Sequence, residues 1–139
     1  MNWKSITTHA ALMLCVGVVA GFFEPRPDLG DTNAVLTAYL ATEMALFVAW
    51  VGIVTHLAFK APNWPFLHAL LAALLSEITA LVLISLMPFE PYTAPLPLVV
   101  FEHAVSLAAV VTGTLVGTRM RRHKQSGRAV VDAPPANGG

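Results

Sequence analysis

Two glutamates sit where charge is expensive. Glu43 in "YLATEMALFVAW" and Glu77 in "LLAALLSEITALVLISLM" each interrupt a long apolar run. A charged side chain at the centre of a bilayer costs about 2.5–3.5 kcal/mol on insertion scales, so an intramembrane carboxylate is a functional hypothesis by default. Counted from the outer ends of their segments at a 1.5 Å rise per residue, both lie about 15 Å deep. Two carboxyls at one depth can share a proton or hold a cation. Tyr39 lies one helical turn before Glu43 and on the same side, within reach of a hydrogen bond to it. Glu102 is shallower and stands beside His103. Neighbours on a helix diverge by about 100°, so Glu102 is expected inward and His103 toward the headgroups. Glu43, Glu77, Tyr39 and Glu102 therefore make up the candidate proton or cation site.

The histidines offer a second chemistry. His56 and His68 flank the short "KAPNWP" segment at matched depth. That is a geometry in which two imidazoles from adjacent helices ligate a haem iron. Solvation at helix ends explains them equally simply and is the preferred expectation, so haem is not favoured and any cofactor stays open. His68 is about 180° round its helix from Glu77, and His56 about 140° from Glu43, so histidines and carboxylates do not line one straight path. His9 and His123 look ordinary.

Other chemistries lack support. The one cysteine, Cys15, lies inside an apolar run and excludes a disulfide framework within the chain. No CxxC, HExxH, P-loop or GxGxxG pattern occurs, which leaves zinc sites, nucleotide sites and the common nucleophile motifs unsupported. An enzyme acting alone is the least expected outcome. A formal net charge of zero argues against a nucleic-acid partner.

The elements that must position these residues follow from composition. The 139-residue chain is 56% hydrophobic and 12% charged, against about 25% charged in ordinary soluble domains. Lipid is the expected solvent, and the expected fold is all-α: an integral membrane four-helix bundle. Crossing a bilayer takes about 20 mainly apolar residues. Four segments qualify, at about 5–23, 33–59, 65–87 and 96–118, separated by "EPRPDLGD", "KAPNWP" and "PFEPYTAP". Prolines there stop helices rather than kink them. Residues 1–120 form the transmembrane domain, and 121–139 read as a basic, then disordered, tail.

Lys4, Lys60 and the run Arg119, Arg121, Arg122 and Lys124 fall on one side of a four-pass chain, while the other side has Arg26 among four acids. The positive-inside rule then puts both termini in the cytoplasm, in a multi-pass protein of the cell membrane. Trp3, Trp64 and Tyr92 are expected at the interfaces. The first span also has the outline of a signal peptide, but "VVAGFFEPRP" lacks a clean small-x-small cleavage site, which favours a retained helix.

Small residues mark the contact faces. Glu102, Ser106, Ala109, Gly113 and Gly117 share one stripe, and Ala69, Ala73, Glu77 and Ala80 another. "GVVAG" (Gly17, Gly21) and "GTLVG" (Gly113, Gly117) are GxxxG pairs, which let helix backbones approach closely. Turned inward, these stripes would let a neighbouring helix close over Glu77. A four-helix chain with a membrane glutamate resembles the small multidrug transporters in architecture, although their key glutamate lies in the first helix and here the first span has none. Three functions remain: a proton- or cation-coupled transporter or channel, a non-catalytic accessory or assembly subunit of a larger membrane complex, and a haem- or quinone-binding redox subunit. The bilayer is the certain partner on this reading; other membrane subunits or a second copy are further ones.

Overall fold

A computed structural model of the chain describes residues 2–23, 31–61, 63–86 and 96–131, with 127–131 as backbone only. It contains four helices: α1 (Trp3–Phe23), α2 (Thr32–Lys60), α3 (Pro65–Ser85) and α4 (Leu96–Val131). All four are long and apolar enough to cross a membrane. The 21 residues of α1 or α3 extend about 31 Å at 1.5 Å per residue, close to the ~30 Å hydrocarbon core of a bilayer.

Local chemistry sets the helix ends. The Asp31 carboxylate caps α2 by accepting from the backbone N–H groups of Asn33 and Ala34 at 2.9 and 3.1 Å. Pro65 opens α3, where its missing N–H leaves no hydrogen bond unmade. Trp64, just before it, takes the left-handed conformation with φ 55° and ψ 47°. A non-glycine residue bears a cost of roughly 1–2 kcal/mol there, and the gain is a reversal from α2 into α3 within a few residues. At the far end of α2, the Arg121 guanidinium of α4 donates to the carbonyls of Ala58 and Ala61. A cation on the last carbonyls also suits the helix dipole.

Side-chain pairings give the helix directions. His9 meets His56, so α1 and α2 run antiparallel. Asn2 meets His68, so α1 and α3 run parallel. Tyr39 meets Glu102 and Arg121 meets Ala58, so α2 and α4 run parallel. The order round the bundle is α1, α2, α4, α3; α2 also touches α3 across the middle, and α1 does not touch α4. The broadest interface is between α2 and α4.

The core is apolar and lies toward one end. Ile6, Met13, Val54, Leu57 and Val110 are fully buried, joined by Ala69, Ala72 and Ala73 of α3. Phe22, Phe23, Leu81, Leu86 and Leu115 are exposed, each by at least 65%. A surface this apolar suits lipid rather than water.

Three features depart from the sequence reading. Helix α4 does not stop near 118 but runs to Val131, because Arg, Met, Lys and Gln are good helix formers and the first proline after Pro97 is Pro134. Helix α3 ends at Ser85. The two GxxxG pairs also differ: Gly113 and Gly117 are pressed against α2, whereas a Cβ added at Gly17 or Gly21 would meet nothing within 4 Å. Helix α1 buries no residue beyond Met13. Its second half stands beside two clefts, one of about 420 Å³ against α2 and one of about 310 Å³ against α3.

Candidate functional site

A cavity of about 160 Å³ lies among α2, α3 and α4. Helix α2 contributes Glu43, Phe47 and Trp50 to it, α3 contributes Glu77, and α4 contributes Glu102 and Ser106. All three carboxylates are half-buried. The spacing of Glu43, Phe47 and Trp50 puts them on one side of α2, and that of Glu102 and Ser106 does the same on α4. Glu43 and Glu77, matched in depth by counting residues, thus line one space, and Glu102 joins them. The Trp50 indole Nε1 is buried and has no hydrogen-bond partner among the described residues. Trp50 and Glu77 also line the apolar cleft between α1 and α3, so these two side chains form the wall between a carboxylate-lined space and an apolar one.

The Tyr39 hydroxyl donates to Glu102 Oε1 at 3.2 Å. Helical phase puts Tyr39 on the side of Glu43, and the parallel run of α2 and α4 also brings it to Glu102 on the neighbouring helix. Aromatic contact supports this seam, with the Tyr39 and Phe101 ring centroids 6.2 Å apart. His103 is exposed and donates from Nδ1 to the Val99 carbonyl at 2.7 Å, facing away from the cavity.

The histidines pair differently from the sequence expectation. His68 is buried, and both its ring nitrogens are engaged: Nδ1 with the Trp64 carbonyl at 2.9 Å and Nε2 with the Asn2 backbone N–H at 3.3 Å. His56 contacts His9 rather than His68, with His9 Nε2 and His56 Nδ1 3.0 Å apart. In this arrangement the nitrogen that a haem iron would take, His68 Nε2, is held by the Asn2 N–H. His9, read as ordinary, is 5% exposed and sits at an inter-helix contact. Its signal was available: residue 9 lies nearly two turns into α1 and residue 56 about one turn from the end of α2, which antiparallel helices bring close to level. Among the described residues, no three His, Cys, Asp or Glu side chains converge closely enough to hold a metal ion.

Comparison with protein-family models, curated proteins and solved structures returns no match for this chain.

Proposed function

We propose that the protein is a multi-pass cell-membrane protein, both termini cytoplasmic, that carries protons or small cations by way of the Glu43–Glu77–Glu102 cavity. The observation that carries this reading is three carboxylates from three helices lining one cavity in a bundle whose largest fully buried side chains are apolar. Intramembrane acids facing a cavity are the usual stations of proton relays and cation pathways. A proton bound by one carboxyl passes to a neighbour directly or through one water, and Ser106 supplies a hydroxyl that donates or accepts. Tyr39 holds Glu102 at the rim. Below the cavity, Met13, Val54, Leu57 and Val110 form a fully buried apolar plug, so passage requires the helices to rearrange. Helix α1, whose buried residues all lie in its first half, is the element assigned to move.

The test is flux in reconstituted vesicles loaded with a pH-sensitive dye. Glu43→Gln and Glu77→Gln keep volume and hydrogen bonding but remove titration. Both variants are expected to fold and insert, and to lose proton movement or proton-coupled uptake. Full flux in both would end the proposal.

A second reading is an accessory subunit of a membrane complex. The open Gly17 and Gly21 face of α1, flanked by two apolar clefts, favours it. Purification in mild detergent separates the two: a partner retained at fixed stoichiometry supports the accessory role, and a single species active alone in vesicles supports transport.

A further inference from the structure

We propose that His9 and His56 form a site for a single added proton that fastens α1 to α2, and that a second proton opens it. Hydrogen-bond chemistry fixes where the protons lie. His9 Nδ1 is 2.7 Å from the Ser5 carbonyl oxygen. A carbonyl only accepts, so Nδ1 carries the hydrogen and, in a neutral ring, Nε2 carries the lone pair. His56 Nδ1, 3.0 Å from that lone pair, must then donate. The remaining lone pair, on His56 Nε2, belongs to an exposed residue. The two rings therefore form a directed chain, from His56 Nε2 through the shared N–H to the Ser5 carbonyl.

One added proton fits this chain. It lands on His56 Nε2, and the imidazolium then donates more strongly from Nδ1 to His9. If the shared hydrogen crosses to His9, His56 Nδ1 becomes the acceptor and the bond survives. A second added proton sets an N–H against an N–H at 3.0 Å, and no hydrogen bond remains. The ring centroids lie 5.3 Å apart with the planes inclined by 29°, so two cations would be held close together, end to end.

Among the described residues the surroundings offer no counter-charge. Helix α1 contributes Lys4 near this end, α2 contributes Lys60, which acts electrostatically on His56, and α3 contributes His68. From α4, Arg121 is engaged with the α2 carbonyls, and the Lys124 ammonium lies 5.5 Å from the centre of the Phe59 ring. Among the described residues this end carries no carboxylate. Because His9 is 5% exposed, it reaches water only if α1 moves. The buried residues of α1 are Ile6, His9, Ala10 and Met13, all in its first half. Loss of the imidazole bond therefore loosens the one part of α1 that is packed. This proposal does not depend on the role of the carboxylates.

The experiment uses the full chain in detergent micelles with ¹⁵N-labelled imidazoles. A scalar coupling across the hydrogen bond is expected between His9 Nε2 and His56 Nδ1. On acidification from about pH 8 to about pH 4, which spans the ordinary charge change of an imidazole, the coupling should survive the first proton and vanish with the second. Wild-type Tm should fall by roughly 5 °C or more over that second step. In His56→Gln the side-chain amide can turn to donate to a neutral His9 or accept from a protonated one, so its Tm should stay level. Absence of the coupling, its persistence after both rings are protonated, or a parallel acid loss of Tm in wild type and His56→Gln would each overturn the proposal. If His56→Gln does not fold, the wild-type coupling and titration decide alone.

Discussion

At the residue scale, most polar side chains within the helices are satisfied locally. Thr42, Thr79 and Thr114 each donate to the carbonyl four residues back, which is how hydroxyls are carried through lipid at little cost. The Tyr39–Glu102 bond is different, because it joins two helices. Inter-helix hydrogen bonds in membranes average about 0.6 kcal/mol and reach about 1.7. Tyr39→Phe should therefore lower stability by roughly that amount, measured as unfolding in mixed micelles. Glu102→Gln should be nearly silent in the same measurement, since the amide oxygen still accepts from Tyr39. Glu102→Leu should cost as much as Tyr39→Phe. Equal losses for the Gln and Leu variants would mean that Glu102 contributes through its charge and not through this bond. The Tyr39–Glu102 bond between helices was not legible in the sequence for a plain reason. Phase around one helix says which residues share a side, but not which helix that side will meet. The His9–His56 contact needed depth as well as phase, since antiparallel helices bring those two residues level, while the inward face of Glu43, Glu77 and Glu102 was legible from phase.

At the element scale, the two GxxxG pairs form a controlled comparison. A Cβ at Gly113 would lie 2.7 Å from Val54 Cβ and 2.9 Å from the Val51 carbonyl. At Gly117 it would press on the Thr55 carbonyl and lie 2.9 Å from Ala58 Cβ. Much of this is backbone, which cannot turn aside. Gly113→Ala and Gly117→Ala should each cost about 1–3 kcal/mol, as overpacking does. Gly17→Ala and Gly21→Ala meet open space and should be neutral or stabilising by up to about 1 kcal/mol, the helix preference of Ala over Gly. Thermal unfolding of the four variants in one detergent checks both halves; destabilisation by Gly17→Ala would reveal a partner on that face. The motif was legible in the sequence, but its use was not, because GxxxG permits close approach without requiring it. Span positions were far more legible. Asp31 and Pro65 fix the starts of α2 and α3 through chemistry that belongs to the residue itself. The extension of α4 was not, because a charged stretch after a membrane span reads equally well as a solvated helix or a loose tail.

At the scale of the whole molecule, the bundle is uneven from end to end. One end holds the fully buried core, the His9–His56 and Asn2–His68 contacts, and Arg121 locked onto the end of α2. The other holds the carboxylate cavity and the unpacked half of α1 with its clefts. Lys60, Arg119, Arg121, Arg122 and Lys124 all belong to the packed end. If the positive-inside rule governs insertion, the packed end faces the cytoplasm and the carboxylates are reached from outside. Successive helices run in opposite directions, so Asn63 and Ser126 share one end of the bundle, and Asn33 and Leu96 share the other. All four are exposed, which makes them suitable for single-cysteine labelling in a chain whose Cys15 is replaced by Ser. A membrane-impermeant maleimide applied to intact cells should modify Asn33→Cys and Leu96→Cys. Asn63→Cys and Ser126→Cys should react only after the membrane is broken. The reverse pattern would invert the orientation and send the cavity to the cytoplasm, leaving the four-pass arrangement intact. Labelling of one member of a pair without the other would break the four-pass arrangement itself, because parallel α2 and α4 cannot begin on opposite sides.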